Sequence, residues 1–231
     1  MQTSRRWIDI FLGHCLLCGA AAHGALDLCS ACMRELPWLP EGCVQCGLPL
    51  PGGPAPACGA CLAKAPAFTR CTAAFAYEFP VREMLLRFKQ HGDLACGRTL
   101  SLLLAMRLAR SGLSGSTGFV LVPMPLHRRR LQVRGFNQAE RIARTLASEC
   151  GMRLVSSAAS RVRETTDQKG LSGPRRRTNL RGVFAAAACV GQRILIVDDV
   201  VTTGASANEL ARALIASGAA EVQVCCLARA I

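Results

Sequence analysis

Two neighbouring carboxylates, Asp198 and Asp199, stand just before a small hydroxyl-rich turn in the run RILIVDDVVTTGAS, residues 193–206. The apolar residues 194–197 predict a parallel strand that is buried on both faces, and we expect the carboxylates where this strand meets solvent. After the turn, an amphipathic helix is predicted, with Gly218 just beyond its C-terminus. Its inward face is predicted to contain Ala207, Leu210, Ala211, Leu214 and Ile215. The N-terminus of such a helix offers free N–H groups and a positive dipole end, which together favour a phosphate.

This run resembles the phosphoribosyl pyrophosphate (PRPP) signature of type I phosphoribosyltransferases. The resemblance implies that Asp198 and Asp199 form the catalytic pair and hold the 2′- and 3′-hydroxyls of ribose. It implies that the 5′-phosphate binds at Thr202, Thr203, Gly204, Ala205 and Ser206. Magnesium is the expected companion of PRPP, because hard oxygen ligands and phosphates together suit Mg²⁺. The alternative is an ordinary strand-to-helix turn with two exposed acids.

Arginine accounts for most of the positive charge, which reaches a formal net value of +13 over 231 residues. The arginines crowd between residues 128 and 181, and their planar side chains suit bidentate contacts with phosphate. We assign contacts with pyrophosphate or DNA to His127, Arg128, Arg134, Arg175, Arg176 and Arg177. For His127, a structural role is an equal alternative. For the arginines as a group, the alternative is a solvated surface.

The segment 165–182, TTDQKGLSGPRRRTNLRG, lacks a helix or strand period and is long for a simple connection. Loops of this length are often lids or binding loops, with a plain surface loop as the alternative. Loops at the C-terminal ends of parallel strands gather at one sheet edge. We therefore expect both arginine clusters to flank the carboxylates.

Eight of the fourteen cysteines form four CxxC pairs, which are separated by ten or eleven residues. Two residues between cysteines allow both thiolates to reach one tetrahedral zinc, and a second pair completes the site. The spacing predicts two structural zinc sites built from Cys15, Cys18, Cys29, Cys32, Cys43, Cys46, Cys58 and Cys61. It leaves open whether the pairs combine sequentially or as a cross-brace. We expect His14 and His23 to be loop residues rather than ligands.

The chain divides by pattern into a cysteine-rich double zinc ribbon over residues 1–66 and a larger region over residues 67–231. In the first region we expect zinc to supply the folding free energy, because little apolar material is present. The second alternates strand and helix signals, which indicates an α/β fold with a Rossmann-like, mainly parallel sheet. No stretch reaches the roughly 20 apolar residues that span a bilayer, and an amphipathic helix is predicted near residues 7–12. We expect a cytoplasmic protein.

Taken together, the chain resembles the competence protein F (ComF) family of phosphoribosyltransferase-like proteins. The resemblance rests on the cysteine pairs, on PLHRRRLQVRGFNQA, on TDQKGLSGPRRRTNLRGVF and on ILIVDDVVTTGAS. It implies a role in handling or using imported DNA, with PRPP, single-stranded DNA and the DNA-uptake machinery as partners. The alternatives are a phosphoribosyltransferase for nucleobase salvage and a non-catalytic protein that binds single-stranded DNA.

Overall fold

The structure, a computed structural model, describes residues 13–22, 26–113, 115, 118–163 and 182–231. Three sequence predictions fall outside these residues: the N-terminal amphipathic helix, the loop position of His23 and the lid with Arg175, Arg176 and Arg177. Within the described ranges, no helix has both the length and the apolar character needed to cross a membrane.

The cysteine-rich segment contains only short elements: β1 (Gly13–His14), β2 (Ala21–Ala22), α1 (Ser30–Arg34) and α2 (Gly59–Ala63). Longer elements follow, namely β3 (Cys71–Ala76), α3 (Val81–His91), α4 (Leu94–Arg110), β4 (Phe119–Pro123), α5 (Arg128–Arg134), α6 (Gln138–Cys150), β5 (Arg153–Leu154), β6 (Ala159–Arg161), β7 (Phe184–Ala186), β8 (Arg193–Val201), α7 (Ala205–Ala216) and β9 (Glu221–Arg229). The predicted alternation of strands and helices is confirmed.

The main sheet has five strands in the order β3-β9-β8-β4-β5, and every neighbouring pair is parallel. Strand β8, which contains the predicted buried parallel strand, lies at its centre. Side chains from alternate positions of β8 enter two separate cores. Leu195 and Val197 pack with α3, α4 and α6, whereas Ile194 and Ile196 pack with α7 and the β6–β7 pair. The mainly parallel α/β fold class is therefore confirmed.

Local chemistry fixes the ends of the helices. The side chain of Asn137 accepts a hydrogen bond from Ala139 N at 3.1 Å and so caps α6, which ends at Gly151 in the left-handed conformation. Gly218, beyond the C-terminus of α7, also has a positive φ of 98°. Glycine adopts this conformation without the steric cost of a Cβ atom, and Gly218 lies just beyond the C-terminus of α7, as predicted.

Two predictions about the β8–α7 region are wrong. Strand β8 does not end before the carboxylates: it continues to Val201, because β9 runs alongside and pairs Asp198 with Cys226 and Val201 with Arg229. Ile215 does not face the core, since its side chain is 44% exposed. The face of α7 that packs on the sheet is narrower than predicted.

The segment after the first two cysteine pairs contacts the open edge of β3 through an isolated bridge at residues 37–39. Trp38 forms an antiparallel bridge with Phe75, and their rings lie 4.7 Å apart. Leu39 N donates to Ala74 O, and Ala76 N donates to Pro37 O. Four buried residues of the cysteine-rich segment also join the core formed by α3 and α4: Cys15, Ala22, Leu28 and Leu36. Apolar burial against the sheet therefore supports this segment, in addition to any metal.

Candidate functional site

The paired cysteines form two separate clusters that follow chain order. The first tetrad consists of Cys15, Cys18, Cys29 and Cys32, and the second of Cys43, Cys46, Cys58 and Cys61. Within each tetrad, all four sulfur atoms lie within 4.8 Å of one another. The pairing is therefore sequential and not a cross-brace. Among the described residues no histidine belongs to either cluster, and His14 lies in β1 rather than in a loop.

The geometry of both tetrads fits zinc. Ligands at about 2.3 Å from a tetrahedral zinc lie about 3.8 Å from each other. The measured S–S distances are 3.7 Å for Cys18–Cys29, 3.9 Å for Cys43–Cys61 and 3.7 Å for Cys46–Cys58.

Backbone groups at the second tetrad favour the thiolate form that a metal requires. Cys43 Sγ accepts hydrogen bonds from Cys46 N at 3.5 Å and Cys58 N at 3.2 Å. Burial raises the pKa of Cys43, but these N–H groups together with the thiols of Cys46 and Cys58 lower it to about 7. The donor set is that of a structural zinc ribbon.

The carboxylates of Asp198 and Asp199 lie inside β8 and are partly buried. Each accepts a hydrogen bond from the backbone of the next residue: Asp199 N donates to Asp198 Oδ1 at 2.9 Å, and Val200 N donates to Asp199 Oδ1 at 2.6 Å. Lys89, from α3, places its Nζ 3.0 Å from Asp199 Oδ2. Both side chains of this ion pair are less than one-fifth exposed.

The two carboxylates differ in their electrostatics. Burial is the main cause that raises the pKa of Asp198 to about 7, and the neighbouring charge of Asp199 raises it further. The positive charges of Lys89 and Arg161 oppose this shift. Around neutral pH the Asp198 carboxyl is therefore close to losing its proton, and a nearby cation or hydrogen-bond donor would favour its ionised form.

Residues 202–206, called here the phosphate loop, lead from β8 into α7. Gly204 is the N-cap of α7 with φ of 72°, a conformation that residues with a Cβ atom rarely adopt. Thr203 Oγ1 accepts from Ala205 N at 3.4 Å, and the side chains of Thr202 and Thr203 are exposed. The loop thus presents hydroxyls and the first N–H groups of a twelve-residue helix on an accessible surface.

The segment after β4 leaves the sheet beside the carboxylates, since Pro123 pairs with Val197 and Met124 N donates to Val197 O. His127 is the N-cap of α5 and accepts from Arg129 N through Nδ1 at 3.4 Å, which gives it a structural role. This stretch forms a helix and not the loop that the sequence indicated.

The two arginines assigned in that segment lie in different surroundings. Arg128 begins α5 and is exposed. Arg134 is partly buried and donates to Gln138 Oε1 at 2.9 Å, so that its side chain is held against the start of α6. Among the described residues, neither of these arginines forms an ion pair with Asp198 or Asp199.

Sequence reasoning missed three basic residues near the site. Lys89 pairs with Asp199, Arg161 lowers the pKa of Asp198, and Arg229 donates to carbonyl oxygens of the phosphate loop and of Cys46. All three lie in elements other than β8 and are distant from Asp198 in the sequence. A signal was present only for Arg229, as a charged residue that ends an apolar strand.

Comparison with known proteins gives two family matches. Residues 9–62 match the model described as Double zinc ribbon domain, and residues 131–231 match the model described as Phosphoribosyl transferase domain. The first match contains both tetrads. The second contains the carboxylates and the phosphate loop.

Several curated relatives align with this chain. DNA utilization protein YhgH from Salmonella typhi is 38% identical over 229 residues, which cover 95% of this chain and 98% of that protein. Competence protein F from Haemophilus influenzae is 33% identical, with 96% and 100% covered. Competence protein ComFC from Streptococcus pneumoniae is 27% identical, with 68% and 67% covered. Because identity above 30% extends over almost the full length of both chains, the protein belongs to the ComF family, with a double zinc ribbon and a phosphoribosyltransferase domain.

Proposed function

We propose that this protein binds PRPP, or a closely related phosphorylated ribose, together with magnesium at the C-terminal end of β8. The main support is the direct succession of two partly buried carboxylates, a left-handed Gly204 and an exposed helix N-terminus. A sugar phosphate with vicinal hydroxyls matches this order of groups: its hydroxyls donate to carboxylates, and its phosphate accepts from N–H groups.

In this proposal each group of the site has one task. The carboxylates of Asp198 and Asp199 accept hydrogen bonds from the 2′- and 3′-hydroxyls. The backbone and hydroxyls of the phosphate loop donate to the 5′-phosphate. Lys89, at 3.0 Å from Asp199, holds that carboxylate in place. Holding the ribose at both ends would leave its anomeric carbon exposed to an acceptor.

Magnesium would neutralise part of the pyrophosphate charge when it is bound with PRPP. The carboxylate and phosphate oxygens available at this site are the ligand type that Mg²⁺ prefers. The chain adds positive charge of its own, because Arg128 and Arg134 follow β4, the strand beside β8. We propose that they meet the departing pyrophosphate, and that Arg175, Arg176 and Arg177 contribute to the same task or to DNA contact.

We further propose that the protein acts in the handling or use of imported DNA, within the cytoplasm. The printed names of its relatives, DNA utilization protein and competence protein, support this role. The cysteine tetrads support the location, because thiols reserved for a metal need a reducing compartment. A phosphorylated ribose is a natural substrate or signal for a protein that handles nucleotides.

Calorimetry with PRPP and Mg²⁺ tests the binding proposal. The wild type should bind, and the double variant Asp198→Asn/Asp199→Asn should bind at least about tenfold more weakly, because two charge-assisted hydrogen bonds are lost. Glu41→Gln, which removes an exposed acid from the zinc-ribbon segment, is the matched control and should bind like the wild type. Equal affinity in the double variant and the control would refute the assignment.

Two further assays on the wild-type protein distinguish the proposed function from the two alternatives. Release of pyrophosphate with a free nucleobase, measured over a panel of purines and pyrimidines, would identify nucleobase salvage. Binding of single-stranded DNA that is unaffected by PRPP, without any release of pyrophosphate, would identify a non-catalytic DNA-binding protein. Our proposal requires PRPP binding and a change of that binding when single-stranded DNA is added.

A further inference from the structure

One buried arginine connects the second tetrad with the phosphate loop. Arg229 Nε donates to the carbonyl of Cys46 at 3.0 Å, within the second tetrad. Its Nη1 donates to the carbonyl of Val201 at 3.0 Å and to that of Thr202, the first residue of the phosphate loop. The side chain is only 4% exposed. The guanidinium therefore joins two regions that are more than 150 residues apart in the chain.

The acceptors of Arg229 are backbone carbonyl oxygens, and the fourth belongs to Ala230 at 2.7 Å. A buried charge is costly unless its hydrogen bonds are satisfied, and carbonyl dipoles satisfy this one. A planar guanidinium fixes the directions of its N–H groups relative to each other. The positions of the Cys46 and Thr202 carbonyls are consequently linked by one rigid group.

Holding the Thr202 carbonyl also orients the next N–H group. The peptide unit is planar and trans, so the Thr203 N–H points opposite to the Thr202 carbonyl. With the carbonyl turned inward to Arg229, this N–H is turned away from the arginine, on the side where Thr202 and Thr203 are exposed. That is the side from which an anion would reach the phosphate loop.

We propose that metal bound at the second tetrad positions the phosphate loop through Arg229, which acts as a positioning residue. The inference rests on the proposed function, because the phosphate loop is taken as the anion site. A filled tetrad holds the Cys43–Cys46 turn and with it the Cys46 carbonyl. Without the metal, this carbonyl is released, and the planar guanidinium of Arg229 no longer fixes the Thr202 peptide.

The first tetrad provides a matched comparison, because its contact goes elsewhere. Leu16 O, within that tetrad, accepts from Arg87 Nη1 at 3.1 Å, and Arg87 belongs to α3. Both tetrads therefore attach to the sheet domain through an arginine and a carbonyl. Only the second attaches to a residue that contacts the phosphate loop.

Hydrogen exchange of the ligand-free protein tests this asymmetry. In Cys58→Ser, which disables the second tetrad, amides of residues 201–208 should exchange about tenfold faster, while those of β4 keep their wild-type rate. In Cys29→Ser, which disables the first tetrad, exchange of residues 201–208 should stay within about twofold of the wild type. Equal acceleration in both variants, no acceleration in Cys58→Ser, or acceleration in β4 as well would each overturn the proposal.

A second pair of variants tests Arg229 itself. Arg229→Lys keeps the charge but loses the fixed N–H directions of the guanidinium. Exchange of residues 201–208 should therefore accelerate as in Cys58→Ser. Arg107→Gln is the control, because Arg107 Nη2 donates to Leu39 O at 3.4 Å and neither residue contacts the phosphate loop. A wild-type exchange rate of residues 201–208 in Arg229→Lys would overturn the positioning role of the Arg229 guanidinium. If Arg229→Lys fails to fold, the comparison of Cys58→Ser with Cys29→Ser still tests the proposal.

Calorimetry with PRPP and Mg²⁺ on the same proteins separates this inference from the proposed function. PRPP affinity should fall about tenfold in Cys58→Ser and remain within about twofold in Cys29→Ser. If the wild type does not bind PRPP while residues 201–208 still respond to Cys58→Ser alone, the proposed function fails and the coupling stands. If the wild type binds PRPP and Cys58→Ser binds equally well, the coupling fails and the proposed function stands.

Discussion

Replacing Asp198 by asparagine should stabilise the ligand-free fold at alkaline pH while it weakens ligand binding. In the wild type, burial and the charge of Asp199 raise the pKa of Asp198 from 3.8 to about 7. The unfolded chain therefore loses this proton at lower pH than the folded chain. The wild-type fold bears a free-energy penalty that is absent below about pH 4, grows as the pH rises and is complete above about pH 7. Asparagine has the same shape but no charge, so it avoids the penalty.

The size of the effect follows from the two pKa values. Each pKa unit corresponds to about 1.4 kcal/mol, so the full penalty is about 4 kcal/mol. Since the Asp198 side chain is only partly buried, solvent screening reduces this figure, and we expect about 2 kcal/mol. Most of that gain should appear between pH 5 and pH 8, because the unfolded chain is already ionised over this interval.

Urea unfolding of the wild type and Asp198→Asn at pH 5 and pH 8, with zinc and a reductant but without Mg²⁺ or PRPP, measures the gain. Asp199→Asn is the matched control. It should not gain comparable stability at pH 8, because the change also leaves Lys89 without its partner at 3.0 Å. If Asp198→Asn gains no more stability at pH 8 than at pH 5, the carboxylate is not strained and the electrostatic reasoning is refuted.

Elemental analysis should find about two zinc ions per chain, and Cys29→Ser and Cys58→Ser should each lose one; two ions in either variant would contradict the tetrad assignment. Gly204→Ala should lower the free energy of unfolding by about 1 kcal/mol and weaken PRPP binding, because φ is 72° at this position. An unchanged free energy of unfolding and an unchanged PRPP affinity would contradict this prediction. Gly97→Ala should lower stability by about 1–3 kcal/mol, since its Cβ would lie 2.5 Å from the ring of Phe88. An unaltered melting temperature would mean that the ring moves aside.

The strand–turn–helix unit around Gly204 could be predicted from sequence because its signals are local. An apolar run, a turn and a helical period follow one another within about 25 residues, and each depends on neighbours in the chain. The end of β8 could not be predicted in this way. Whether a strand continues past two carboxylates depends on the partner alongside, and the sequence around Asp198 contains no information about the length of β9.

The basic residues at the site were missed for a related reason. Lys89 and Asp199 form a close ion pair although 110 residues separate them, and only the packing of α3 against the sheet brings them together. Arg229 ends an apolar strand, and the sequence gives no sign of its four carbonyl acceptors. The sequence also could not predict how the CxxC pairs combine into tetrads, because their nearly equal spacing is compatible with a sequential arrangement and with a cross-brace.

The bridge between residues 37–39 and β3 has a consequence for any shortened form of the protein. It covers the outer edge of β3, where Phe75 is fully buried and Ala76 N donates to Pro37 O. A chain cut before residue 67 would expose a row of unpaired backbone groups beside an apolar ring, which is a template for pairing with a second sheet. Such a fragment is expected to self-associate, even though residues 198–206 are unchanged. Residues 37–39 therefore also protect the edge of β3 from pairing with a second chain.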